Sequence, residues 1–171
     1  VLCMLGNAAG LRETAESVRS FSQWDEGWNY TGMGQFGPCM SRLDSLVIAL
    51  GATGRAEALE AVLEKAALLT PAHAFSHFRA VSLACESIAS PAAAPALSRL
   101  LDMEGLTGHH VTTLQEARER AVPNKTDVTL RNLALRELHI ARALYRCGDN
   151  GDRGRRILLL YCGDLHGPYY R

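Results

Sequence analysis

The sequence is poor in features that announce a chemistry. It has no surplus of either charge: Lys+Arg and Asp+Glu number 18 each, so nothing steers the chain as a whole towards nucleic acid or an anionic membrane. Lysine is scarce, and arginine supplies nearly all of the basic residues, a bias that base composition explains before any function does. The five cysteines (Cys3, Cys39, Cys85, Cys147 and Cys162) are odd in number, widely spaced and without a CxxC, which reads as reduced, small hydrophobes. No apolar run approaches the roughly 20 residues of a membrane-spanning helix. No GxGxxG follows a strand, and no stretch reads convincingly as a strand, which excludes the usual dinucleotide-binding turn from these residues. The chain starts at Val1 and stops just after a Gly-Pro, and both ends read as cuts through something longer.

What is present is helical periodicity. Leu43, Leu46, Val47 and Leu50 fall at i, i+3, i+4 and i+7, one apolar stripe. Gly51-Ala-Thr-Gly54 is expected to stop that helix. Leu59, Val62, Leu63 and Ala66 then draw a second stripe. Two amphipathic helices with so short a joint lie antiparallel, apolar faces together. Each is too short to be stable alone, so the pair needs neighbours. Further helices are predicted over 11–21 (Leu11, Ala15, Val18) and from a Ser76 cap to about Ala89 (Val81, Ala84, Cys85, Ile88). Another starts at Ser90-Pro91, a good N-cap and first helical position, with Leu97, Leu100 and Leu101 in its stripe. A broad-faced helix spans about Asp127 to Cys147, with Ala134, Leu138, Ala141 and Tyr145 widening its apolar side and Glu137 breaking the row. A last helix, capped by Asp152, turns Ile157, Leu160 and Tyr161 inwards. Val1–Leu5 reads as the tail of a helix.

Two stretches depart from this pattern. Residues 22–40 carry Gly27, Gly32, Gly34, Gly37 and Pro38, which deny them regular structure. Yet Trp24, Trp28, Tyr30 and Phe36 lie there, and a flexible linker would not hold two Trp. The loop is either packed on the helices, capping the end of a stack, or kept for a partner, since Trp and Tyr are favoured interface anchors. Residues 104–124 interrupt the helices a second time, with His109-His110 in a Gly- and Thr-rich setting and a short helix at LQEARERA.

Candidate chemistry is thin. His73 and His77, four apart, would share a helix face and grip a metal, but no third ligand stands at matching spacing and Ser76 as a cap would leave His73 outside the helix. Adjacent His109 and His110 do not converge. Asp25-Glu26 between Trp24 and Trp28 has the make-up of a sugar-site acid pair or of a charged turn. Arg153, Arg155 and Arg156 form a small basic cluster. Asp149-Asn-Gly-Asp152 opens like a calcium loop but lacks the later Glu, and reads as a turn.

Laid over one another by their inner breaks, Gly54, Ala89 and Gly148, three hairpins recur at 35 residues and then at 35 plus roughly the length of the 104–124 insertion. Two helices per unit at this period belong to helical solenoids. The stretch IALGATGRAEALEAVL at 48–63 resembles the HEAT-repeat consensus, and 79–101 and 136–160 resemble it more loosely. The resemblance implies an all-α fold, a superhelix of about three antiparallel hairpins over 41–171, with residues 1–40 (helix and aromatic loop) packed on it; an irregular all-α bundle is the alternative. GWNYTGMGQFGPCMSRLDSLVIALG (27–51) and LRELHIARALYRCGD (135–149) further resemble the helical C-terminal portion of large bacterial FAD-dependent oxidoreductases. That resemblance implies an accessory domain beside an upstream FAD-binding domain of the same chain, with no FAD ligand, catalytic residue or metal ligand assignable here. The expected contact residues are Trp24, Trp28, Tyr30, Phe36, His109 and His110, facing that catalytic domain or another protein. Nucleic acid and a membrane span are not expected.

Overall fold

The computed structural model describes residues 1–29, 41–120, 127–149 and 151–165. Among these residues every regular element is helical. The helices are α1 (Leu11–Arg19), α2 (Arg42–Ala52), α3 (Leu59–Ala67), α4 (Phe75–Ile88), α5 (Ala94–Leu101), α6 (Leu114–Glu119), α7 (Thr129–Arg146) and α8 (Arg153–Cys162). No helix among them is long and apolar enough to cross a membrane.

Packing is led by α4, which lies against α2 on one side and α7 on the other. The row α2–α4–α7 is backed by α3, α5 and α8, while α1 packs on α2 and α3. Leu43, Leu50, Phe78, Leu97, Leu100, Ile140 and Leu144 are fully buried between these elements. Each such side chain contributes roughly 1.5–3 kcal/mol relative to an exposed one.

The three breaks used for the sequence alignment share a conformation. Gly54 (φ +63), Ala89 (φ +51) and Gly148 (φ +78) are all left-handed, so each first helix is followed by a left-handed residue at or just past its end. Counting back from each, the residues four, five, seven and eleven positions earlier are buried in all three units: Leu50, Ala49, Val47 and Leu43; Cys85, Ala84, Ser82 and Phe78; Leu144, Ala143, Ala141 and Glu137. Downstream the path recurs as well. Arg55 (φ −91, ψ 133) and Ser90 (φ −92, ψ 132) are extended, each is followed by a 3-10 turn (Ala56–Ala58 and Pro91–Ala93), and each turn runs into a helix, α3 and α5. Gly6 (φ +75), Asn7 (φ −88, ψ 123), the 3-10 turn Ala8–Gly10 and α1 trace the same sequence of conformations once more.

Several local expectations are corrected. Gly51 does not stop α2; it lies inside the helix, and a methyl there would run into the Cα of Ala84, so glycine is present to let α2 and α4 approach. Ser76 is not a cap: α4 already starts at Phe75, and Ser76 is buried within it. Asp152 precedes α8 but its side chain makes no cap; Asp149 accepts from the N–H groups of Gly154 and Arg155 instead. Leu160 and Tyr145 do not face inwards, being 43% and 53% exposed, because α8 meets α7 through Gly154 and Tyr161. Cys3–Leu5 is a 3-10 turn lying on α2, not an α-helical tail. Ser90, expected to cap a helix with Pro91 in its first position, accepts from Ala92 N–H but caps the 3-10 turn Pro91–Ala93, and α5 begins only at Ala94; α2 is capped by Ser41, which accepts from Asp44 N–H at 2.8 Å.

Candidate functional site

Residues 21–29 cross the N-terminal ends of α2 and α4 as a strap. Trp24 is buried, and its indole N–H donates to Lys65 O at 3.1 Å. Lys65 is itself buried and returns its ammonium to Phe21 O at 2.6 Å. Asp25 Oδ2 accepts from Leu43 N–H and Asn29 Oδ1 from Phe75 N–H, so two strap side chains satisfy free donors in the first turns of α2 and α4. Trp28 and Ser76 bond reciprocally, backbone N–H to Oγ at 3.1 Å and Ser76 N–H to Trp28 O at 3.0 Å. Arg136, from α7, donates to Asn29 Oδ1 and Pro71 O and lies over the Phe78 ring.

Beneath the strap is a buried hydrogen-bonded pair that joins α2 to α4. His77 Nδ1 is 2.7 Å from Asp44 Oδ1, and the two side chains are 2% and 1% exposed. The indole of Trp24 covers the imidazole, ring centroids 4.5 Å apart. Gly27 closes the opposite nitrogen: a Cβ there would overlap His77 Nε2. Among the described residues, Asp25 Oδ1 and Asp44 Oδ2 are buried without a hydrogen-bond partner. The pair has the orientation of a carboxylate–imidazole catalytic unit, but Nε2 faces backbone, and the nearby Ser76 hydroxyl is engaged with Trp28. Its chemistry here is to hold a loop and two helices together.

A second polar node anchors the 104–124 insertion. Glu137, 2% exposed, accepts from Gly108 N–H (3.1 Å), His109 N–H (3.0 Å) and the Tyr161 hydroxyl (2.8 Å). Leu106 and Val111 are buried, and Val111 exchanges bonds with the Asp164 side chain and Leu165 N–H. His109 Nε2 lies 2.8 Å from Gly105 O, and His110 sets its ring against Tyr161 at 6.0 Å. α6 starts on a capping box made by Thr113 and Glu116, and the backbone donors of Thr112 and Thr113 hold the Glu116 carboxyl below its usual range.

The expected contact residues are thus dispersed. Trp24 is core, Trp28 is half-buried with its edge against Phe75, and His109 and His110 are half-buried in the insertion. Tyr30 and Phe36 lie outside the described residues. His73 stands before α4, its Nδ1 engaged by Thr70, and meets His77 edge to face at 6.0 Å. Among the described residues no three His, Cys, Asp or Glu side chains gather as metal ligands. Arg153 pairs with Asp102 at 2.6 Å and Arg156 donates to Gly151 O, so the basic cluster is partly engaged. Cys3, Cys85, Cys147 and Cys162 are free thiols. Burial, with Cys147 alongside, pushes the Cys85 thiol up to about 12; burial, then Glu86, pushes Cys147 up to about 11.

Sequence reasoning passed over Asp44, Lys65 and Asn29, and took Glu137 for a break in an apolar row. The available signal was a charged residue at a buried helical register: Lys65 and Glu137 both stand where the repeat places leucine or phenylalanine. Comparison of the chain with family models, with curated proteins and with solved structures finds no match.

Proposed function

We propose that this chain is a HEAT-like α-solenoid that works as a non-catalytic interaction scaffold, the accessory part of a bacterial FAD-dependent oxidoreductase. The observation that carries the scaffold reading is one backbone path at a 35-residue interval: left-handed residue, extended residue, 3-10 turn, helix, at Gly54–Leu59 and again at Ala89–Ala94. Units built alike bury their sides on one another and leave edges and loops for contact. The two polar nodes support the same reading, since both spend their acids and imidazoles on fixing loops. The oxidoreductase part of the proposal rests on the sequence resemblance alone, and FAD would belong to a domain other than this one.

The aromatic strap gives a second reading, in which Trp28 reaches a substrate bound by the flavin domain. The test is Trp28→Ala and His109→Ala in the natural full reading frame. The scaffold reading expects unchanged turnover per bound flavin and weakened association with the catalytic part. Loss of turnover with folding and flavin content intact would replace it with the second reading. Trp24→Ala is unsuitable for this purpose because Trp24 is core.

A further inference from the structure

The zero net charge conceals a division along the chain. Residues 1–70 hold eight acids and five bases, and residues 71–171 hold ten acids and thirteen bases. Much of the excess stands on one helix. On α7, Arg131, Leu135, His139, Arg142 and Arg146 recur at steps of four, four, three and four, a single stripe about 22 Å long. The stripe is on the side of α7 away from α8, which meets the helix at Glu137, Ala141 and Tyr145. Two contacts set it against α4: Phe75 lies on His139 with centroids 5.6 Å apart, and Glu86 accepts from Arg142 at 2.8 Å. Arg79, four residues after Phe75 and seven before Glu86, therefore joins the same seam, half-buried. Glu86 is the acid placed there by these contacts, against Arg79, Arg142 and Arg146. Arg142 and Arg146 are exposed.

We infer that the α4–α7 seam is a docking surface for an acidic polypeptide segment, a helix or strand of another protein region carrying glutamates or aspartates beside apolar residues. The inference rests on the scaffold reading above and names its partner. Charge complementarity selects the occupant: Arg is favoured in protein interfaces, and Leu135 gives the seam apolar ground that a phosphate backbone would not use. A nucleic acid is disfavoured because the rest of the molecule supplies compensating acid.

The test is binding of a labelled synthetic helical peptide of glutamate, leucine and alanine to the whole chain at low salt, read by fluorescence anisotropy. The same peptide with lysine for glutamate and an oligonucleotide of equal charge serve as comparisons. Saturable binding of the acidic peptide, weakened about five- to tenfold by Arg142→Gln with Arg146→Gln and less than about twofold by Arg155→Gln with Arg156→Gln on α8, supports the site. Both variant pairs change exposed residues, and an unchanged melting temperature verifies folding. No binding, equal binding of the lysine peptide, tighter binding of the oligonucleotide, or equal weakening by the α8 pair overturns it. So does a salt-sensitive dimer, seen by light scattering, that the Arg142 and Arg146 changes dissolve, since the occupant would then be a second copy. Any of these results leaves the Trp28 and His109 experiment, and with it the scaffold reading, to be judged separately.

Discussion

At the scale of single residues, the joints between helices make the sharpest predictions. Ala89 is held at φ +51, where a Cβ costs about 1 kcal/mol or more, and it is exposed, so no packing compensates. Ala89→Gly is expected to stabilise the chain by about 0.5–1 kcal/mol in urea unfolding. Gly51→Ala tests the opposite sign. Helix propensity alone favours alanine by about 1 kcal/mol, yet the methyl would strike α4 backbone; a net loss of about 1–3 kcal/mol is expected. A gain would mean that α2 and α4 are not in contact there. His139 bears on pH. Burial, with Arg142 and then Arg79 adding to it, lowers its pKa from the ordinary 6.5 to about 4. The unfolded chain therefore binds the proton first, and stability falls as pH drops from about 6.5 to 4, by roughly 2–3 kcal/mol in all. Urea midpoints at pH 7 and pH 4.5 should converge in His139→Leu relative to the parent protein.

At the scale of elements, the strap and the insertion are fastened by buried polar side chains. Asp44→Ala leaves His77 buried without its partner and is expected to destabilise by about 1–3 kcal/mol. Faster hydrogen exchange should then spread over residues 21–29 as well as α2 and α4; exchange confined to α2 would show that the strap does not depend on the pair. The cysteines offer an independent check. Cys162 is exposed, whereas Cys85 and Cys147 are buried with raised pKa values, so iodoacetamide at pH 8 should modify Cys162 promptly and the other two only on unfolding. The helices themselves are legible from period 3.6 stripes. The Ser90-Pro91 signal marks a turn start within three residues, but the turn is 3-10 and α5 follows it from Ala94. What escaped it was long-range: Asp44 meets His77 thirty-three residues on, and Glu137 meets backbone donors of a loop that precedes it. Gly51 escaped for a related reason, because the cause of a glycine inside a helix was a neighbouring helix. Trp24 and Trp28, adjacent in sequence reasoning, have different fates because one indole finds Lys65 O and the other only the rim of Phe75.

At the scale of the whole molecule, the account depends on the repeat. Alanine occupies the position five before each left-handed joint (Ala49, Ala84, Ala143), and the same four registers are buried in every unit. The first two units share joint, 3-10 turn and burial register, and the third shares the joint and the register, as the proposed stack requires of hairpins each covered by a neighbour of its own kind. The period therefore predicts that an additional unit fits. The most direct measurement is to insert a second copy of residues 55–89 between Ala89 and Ser90, which keeps the α2–α4 and α4–α7 contacts and adds one new contact between copies of α4. The enlarged chain should retain its helical circular dichroism per residue and unfold in urea in a single transition, with an m-value raised in proportion to its length. A broadened or absent transition, with helix content per residue lost, would contradict the stack.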